Sequence, residues 1–222
     1  PDSTDEKIQP YLLNLVFSAL LYQRGTLPLH GSAIETPKGA VILVGQPGIG
    51  KSTLAGAFHV RGYRIITDDL CAISTSADGP PMTYPGYPEM KMTPDTAEIL
   101  GIDTSNLKKI TWWKGKLIVP FRERFSQTPL PVHAVYSLTE SEGKDFTLTP
   151  AEGVAKFKVL FTNTYRMAFL EGLGLVNKHF KLATAVVQHA RVVHVSRPRD
   201  GFRLDELIEV LEMDCGLKDA KS

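Results

Sequence analysis

Cysteine is nearly absent: Cys71 and Cys215 are the only two in 222 residues, far apart and without metal-type or redox-type spacing. A disulfide framework and a cysteine-rich zinc module are thereby excluded, and two reduced thiols in a cytoplasmic protein are expected. An excess of either charge is also lacking. Twenty-five basic against 24 acidic side chains leave +1, too little to steer a polyanion, so no nucleic-acid partner is expected. Long apolar runs are missing too. The longest candidate, Tyr11 to Tyr22, is short of the ~18–20 residues a spanning helix needs and has no basic flank, so no membrane partner is expected. No internal repeat or low-complexity tract occurs. The chain begins with Pro1, from which a further N-terminal region upstream is expected. With 43% hydrophobic and 22% charged residues, 1–222 reads as one domain with an ordinary core.

Against this plain background one motif stands out. Gly45-Gln46-Pro47-Gly48-Ile49-Gly50-Lys51-Ser52 has the complete G-x-x-x-x-G-K-S spacing and follows an apolar run, Ala40 to Val44. The run alone suits a buried strand or a piece of buried helix; the motif requires the strand. Glycines allow torsions that let backbone N–H groups wrap a phosphate, and the N-terminus of the next helix adds a favourable field. Lys51 then reaches the outer phosphates, while Ser52 offers a hydroxyl to Mg²⁺. Residues 45–53, with Thr53, form the expected cofactor site, for ATP or GTP; no base-reading motif separates the two.

The surroundings give the loop a fold. Tyr11 to Gln23 has helical periodicity and stops at Arg24-Gly25. Leu27 to Glu35 reads as one extended segment, separated from the loop strand only by Thr36-Pro37-Lys38-Gly39. That link is too short for a crossover, so the two strands must form an antiparallel hairpin. A helix from Ser52 to Arg61 and a strand from Tyr63 to Thr67 follow, then Asp68-Asp69 and an extended Leu70 to Ser74. Thr93-Pro94 starts a helix that Gly101 ends, Ile110 to Pro120 reads as a hairpin, and Val132 to Leu138 as a strand. Thr149-Pro150-Ala151-Glu152 has the form of a capping box and predicts a helix from Pro150 to Phe161. Tyr165 to His189 is expected helical with a break near Gly172 or Gly174, Arg191 to Ser196 as the last strand, Leu204 to Met213 as the last helix. The expected parts are an N-terminal helix (1–26), a nucleotide-binding core (27–75) and the remainder (76–222).

Asp68 and Asp69 stand 17 and 18 residues after Lys51, at the end of the strand after the loop helix. There, one carboxylate can serve Mg²⁺ and the other can take a proton from an attacking hydroxyl. His30 lies on the strand paired with the loop strand and can approach the phosphates. Trp112-Trp113 with Lys114 and Lys116, Arg166, and Arg197, Arg199 and Arg203 are candidate substrate contacts, since a guanidinium matches phosphate or carboxylate oxygens in pairs.

Three stretches together, Leu-His-Gly-Ser-Ala-Ile-Glu (29–35), Val-Ile-Leu-Val-Gly-Gln-Pro-Gly-Ile-Gly-Lys-Ser-Thr (41–53) and Arg-Gly-Tyr-Arg-Ile-Ile-Thr-Asp-Asp-Leu (61–70), resemble the catalytic domain of HPr kinase/phosphorylase. The resemblance implies an α/β fold, a P-loop mixed sheet of the HPr kinase / phosphoenolpyruvate carboxykinase type with helices packed on it. It also implies roles: Lys51 and the loop amides on phosphates, Ser52 and Asp69 on the metal, Asp68 as general base, His30 beside the transferred phosphate. A homo-oligomer is implied as well. The Glu-Val/Ile-Arg-Gly-Leu-Gly stretch of members acting on HPr is replaced by Pro85 to Lys91, where Glu89 is the only stand-in for its metal-linked Glu. Pro-Gly-Tyr-Pro (85–88), Asn163 to Arg166 and Arg197 to Asp200 instead resemble the divergent branch found beside peptide-tailoring genes, lasso peptide clusters included.

An ATP-dependent kinase transferring the γ-phosphate to a serine, or another hydroxyl, of a protein or peptide is therefore the expected function. Glu89, Arg166 and Arg199 are the expected substrate contacts. A nucleotide-binding sensor read by a partner and a small-molecule alcohol kinase are the alternatives; the Asp pair favours catalysis, because a binder needs only the loop and one metal ligand.

Overall fold

The computed structural model describes residues 15–76, 79–110, 115–199 and 203–218. Helix α1 (Phe17–Gln23) leads into β1 (Leu27–Leu29), β2 (Gly31–Thr36) and β3 (Gly39–Gly45). The P-loop joins β3 to α2 (Lys51–Val60), followed by β4 (Arg64–Thr67), β5 (Cys71–Ser74) and β6 (Met82–Thr83). Next come β7 (Glu89–Met92), α3 (Pro94–Ile99), β8 (Lys108–Lys109), β9 (Leu117–Pro120) and the long β10 (Leu130–Ser141). The chain continues through β11 (Thr147–Pro150), α4 (Val154–Thr162), α5 (Ala168–Gly172), α6 (Val176–His189), β12 (Arg191–Pro198) and α7 (Leu204–Asp214).

The fold is a mixed α/β sheet with helices on both faces. β3, β10 and β12 form a parallel trio with β10 in the middle. β2 pairs antiparallel with β3, from Gly31 opposite Val44 to Thr36 opposite Gly39, and β4 pairs antiparallel with β2. The expected hairpin is thus present, for the reason its short link demanded. The N-terminal end of β10 also pairs with β6, which continues through β5 to β1. β7, β9 and β8 make a separate small antiparallel sheet.

All seven residues of β3 are buried, as a strand covered on both faces should be. Val41 and Leu43 face one core, shared with α2, α7 and the small sheet; Ala40, Ile42 and Val44 face the other, shared with α4 and α6. Each fully buried Val, Leu or Ile contributes about 1.5–3 kcal/mol, so the P-loop springs from a strand held by both cores. Among the described residues no helix is long and apolar enough to cross a membrane. Cys71 and Cys215 are free, buried thiols, one in each core.

Three local expectations change. The extended segment from Leu27 is two strands, because at His30 the chain leaves β5 as partner for β3, and the His30 N–H bonds Asn163 O at 2.8 Å. Thr149-Pro150 does not cap a helix: it pairs with His194 and Val193 at the sheet edge, where a proline is tolerated, and α4 starts later, after Gly153 at φ 50°. Residues 165–167 precede the helices, and the break falls at 173–175, with Gly174 at φ 66°. The start of the N-terminal helix lies outside the described residues, as do Trp112, Trp113 and Lys114, although β8 and β9 flank them as hairpin arms.

Candidate active site

The loop expected to cradle phosphate is built by torsion. Gly45, Gly48 and Gly50 have φ of 144°, 87° and 104°, values that side chains with a Cβ resist. At Gly45 a Cβ would also lie 2.7 Å from Leu138 O, so β10 closes the site against any larger residue. Gly50 caps α2, whose first bond runs from Leu54 N–H to Gly50 O. The amides of residues 51–53 precede any intrahelical partner and are directed to the cradle. Lys51 is 7% exposed and its ammonium donates to Gly45 O at 2.9 Å and Gln46 O at 3.2 Å. Burial lowers its pKa, and the charges of Asp69 and Asp68 act against that. Gln46, Pro47 and Gly48 are exposed at the rim, Ile49 is buried beneath it, and Thr53 is half-buried in the first turn of α2.

The two carboxylates divide sharply. β4 ends at Thr67, whose hydroxyl donates to Leu70 O at 2.9 Å and closes the corner that carries the pair. Asp68 Oδ1 accepts from Ser32 at 2.6 Å and from Ser52 at 2.9 Å, and the backbone N–H of Lys91 also donates to the carboxylate. Burial raises its pKa, the Asp69 charge adds to this, and the three donors oppose it. Asp69 adopts φ 76°, an uncommon conformation for a residue with a Cβ. It is turned toward His30, whose Nδ1 lies 3.0 Å from Asp69 O and 3.4 Å from its Oδ1. Burial first, then the Lys51 charge, lowers the pKa of His30, so the ring is neutral near pH 7 and Nδ1–H donates to the carbonyl. Ser52 is therefore tied to Asp68, whereas the resemblance implied Asp69 as its companion on the metal.

From His30 an arm runs outward. The Tyr165 ring is 5.7 Å from the His30 ring, and the Arg166 guanidinium lies 5.5 Å from the Tyr165 centroid. Arg166 has φ 54°; it and Asp69 are the two non-glycine residues at positive φ among those described. Strain of this kind, about 1–3 kcal/mol each, persists where the surroundings enforce it, and it gathers at functional sites. Here the enforcing contacts are Tyr165 N–H to Pro28 O at 2.9 Å and the His30 bond to Asn163.

The remaining candidates are less central. Glu89 is half-buried at the start of β7, two residues from the Lys91 amide, and makes no hydrogen bond or ion pair to Asp68 or Asp69 among the described residues. Arg199 is exposed and pairs with Glu142 at 2.7 Å and Glu140 at 3.8 Å. Arg203 pairs with Glu206 on α7. Lys116 is close enough for its charge to lower the Lys51 pKa. Ser32 and Tyr165 carry site contacts that residue type alone did not mark; Ser32 lies in β2, two residues after the break at His30, and its contact with Asp68 rests on the pairing of β2 with β4. Gly86, in the Pro-Gly-Tyr-Pro stretch, crosses β4 so closely that a Cβ would lie 2.2 Å from Thr67 Oγ1.

The donors at the cradle are a hydroxyl and two carboxylates, the hard oxygens Mg²⁺ takes, and it usually completes its shell with substrate phosphates and water. Among the described residues no group of three or more His, Cys, Asp or Glu side chains is arranged to hold a metal unaided. Ser52 with Asp68 and Asp69 thus suits a metal shared with phosphates. No family model matches the chain, and no curated protein matches it by sequence. Among solved structures it is similar to the Hpr(Ser) kinase/phosphatase from Coxiella burnetii, at 15% identity and a TM-score of 0.47, over 86% of this chain and 96% of that one.

Proposed function

We propose that the chain is a magnesium-dependent kinase that moves the γ-phosphate of ATP or GTP to a serine hydroxyl of a peptide or protein. The observation that carries this reading is the second carboxylate. Asp68 already meets Ser52 at the loop, yet a second carboxylate, Asp69, is held in a strained conformation beside Lys51 and His30, one more than a loop and a single metal ligand require for binding.

The contacts favour exchanging the two roles implied by the resemblance. Asp68 is enclosed by Ser32, Ser52 and Lys91, which suits it to fix Ser52 toward the metal. The Asp69 side chain is 27% exposed and lies beside His30 and Lys51. In this reading it takes the acceptor proton as the serine oxygen forms its bond to phosphorus and the bond from the γ-phosphorus to the bridging oxygen breaks. The bound metal supplies charge neutralisation on the phosphates. Lys51 moves from its loop carbonyls to the phosphates, and the neutral His30 orients Asp69 through its carbonyl. Arg166, carried by Tyr165, is the contact for the acceptor, and an anionic group near the serine is what a guanidinium would select. A peptide of the kind made in tailoring clusters fits this requirement better than HPr.

The test is phosphoryl transfer from Mg-ATP to serine peptides and to HPr, followed by mass spectrometry, with Asp69→Asn and Asp68→Asn beside the parent. Asp69→Asn should keep nucleotide affinity and lose roughly 10²-fold or more in transfer, the scale of a lost general base. Asp68→Asn should weaken Mg-ATP binding as well. Full transfer by Asp69→Asn would return the base to Asp68, and absence of transfer to every acceptor with tight nucleotide binding would favour the sensor.

A further inference from the structure

β10 and β12 run parallel and place Glu140 and Arg197 directly opposite one another, at the same end of the sheet where β3 runs into the P-loop. The Arg197 side chain is 11% exposed. Its Nη2 donates to Glu140 Oε1 at 2.5 Å and to Ile49 O at 3.4 Å, and its Nη1 donates to Pro198 O at 3.1 Å. Arg199 holds the other oxygen of Glu140 from the solvent side. One arm of a buried, locked guanidinium therefore reaches a backbone carbonyl inside the phosphate loop.

That carbonyl has a partner across its own peptide bond. In a trans peptide the C=O of one residue and the N–H of the next point in opposite directions, and the described chain has no cis bond. Holding Ile49 O toward Arg197 turns the Gly50 N–H the other way, to the open side of the loop, where backbone amides receive phosphate. Gly50 has no Cβ and sits at φ 104°, so this peptide plane is free to rotate unless something outside the loop fixes it.

We propose that Arg197, locked by Glu140, is a positioning residue for phosphate binding, acting through the Ile49–Gly50 peptide to aim the Gly50 amide. The proposal rests on the nucleotide-binding reading above and adds to it a residue of β12, far from the loop in sequence. An ion pair that served only to hold β10 to β12 would not need the loop carbonyl, and a buried pair is in any case weak evidence of a stabilising role.

The experiment compares the parent with Arg197→Met, which keeps the apolar stem, using Mg-ATP and Mg-tripolyphosphate as calorimetric probes. Tripolyphosphate has no nucleoside and reports the cradle alone. Arg197→Met is expected to bind both probes about 10-fold more weakly, by the same factor, the scale of one hydrogen bond to a charged group. KM for nucleotide should rise with kcat nearly unchanged, and the ¹⁵N amide shift of Gly50 on tripolyphosphate binding should shrink. Arg197→Lys should recover part of the affinity. If Arg197→Met does not fold, Glu140→Gln, which leaves the guanidinium without its lock, should show the same losses at a smaller size. Unchanged tripolyphosphate affinity and Gly50 shift in the folded variant overturn the inference and leave the nucleotide reading standing. Failure of the parent to bind either probe overturns both.

Discussion

Replacing Lys51 by Met tests the cradle with a magnitude that follows from its surroundings. The Lys51 ammonium donates to Gly45 O and Gln46 O and is 7% exposed. When phosphate arrives, a unit charge at ~4 Å in an effective dielectric of ~20 is worth about 4 kcal/mol for each negative charge left uncompensated by the metal. Against this stand the two carbonyl bonds it gives up, about 1.5 kcal/mol or somewhat more apiece for a charged donor. With one to two such negative charges the difference centres on about 3 kcal/mol, roughly a 150-fold loss of Mg-ATP affinity. Met keeps the length of the stem, so the cradle keeps its packing. The ligand-free stability should fall by no more than about 1–2 kcal/mol, because the lost bonds are offset by removal of a desolvated charge. Calorimetry with Mg-ATP, alongside urea unfolding of both proteins, measures the two quantities. An affinity within threefold of the parent would refute the P-loop reading itself, and a collapse of stability would show that Lys51 serves the fold rather than the phosphates.

Gly31→Ala should cost about 1–3 kcal/mol of overpacking, since its Cβ would meet the backbone oxygen of Leu43 at 2.5 Å in the very ladder that carries the P-loop strand; urea unfolding with an unchanged midpoint would contradict the close approach. Arg166→Gly relieves the left-handed strain, so stability should be held or rise by up to about 1 kcal/mol while peptide phosphorylation falls and nucleotide affinity stays. A drop in stability with transfer intact would count against Arg166 as an acceptor contact. His179 is buried with its Nε2 on Thr164 Oγ1, and burial lowers its pKa below 6.5. A depressed folded pKa gives stability that is complete above about 6.5 and is lost as pH falls through the folded value. The stability of the parent relative to His179→Gln should therefore decline from pH 7.5 to pH 5, and a difference that is flat or grows on acidification would place the titration elsewhere.

What could be read from the chain, and what could not, divides along the distance over which the determining contacts act. The P-loop, α2 and the Asp pair are local: glycine spacing, a lysine-serine ending and one strand later a carboxylate pair are all set within about thirty residues. The antiparallel turn from β2 to β3 was legible because a four-residue link permits nothing else. Thr149 to Glu152 has equally good local grammar for a helix start, yet β12 captures Thr149 and Pro150 in its ladder, and a pairing partner more than forty residues away outweighs a cap worth about 1 kcal/mol. The same limit explains the arginines. Arg197 and Arg199 share one strand face by period and look equivalent in sequence, but Glu140 stands opposite Arg197 in register and draws it inward, while Arg199 lies past the strand end and stays in solvent. The division of Asp68 from Asp69 is of this kind too. Nothing in two adjacent, identical residues tells which will meet Ser52, and the answer comes from Ser32 and Lys91, one on β2 and one on β7, which converge on Asp68 and leave the left-handed turn at Asp69 to face His30. A motif thus supplies the chemical groups of the site, and strands distant in sequence decide which group meets which partner.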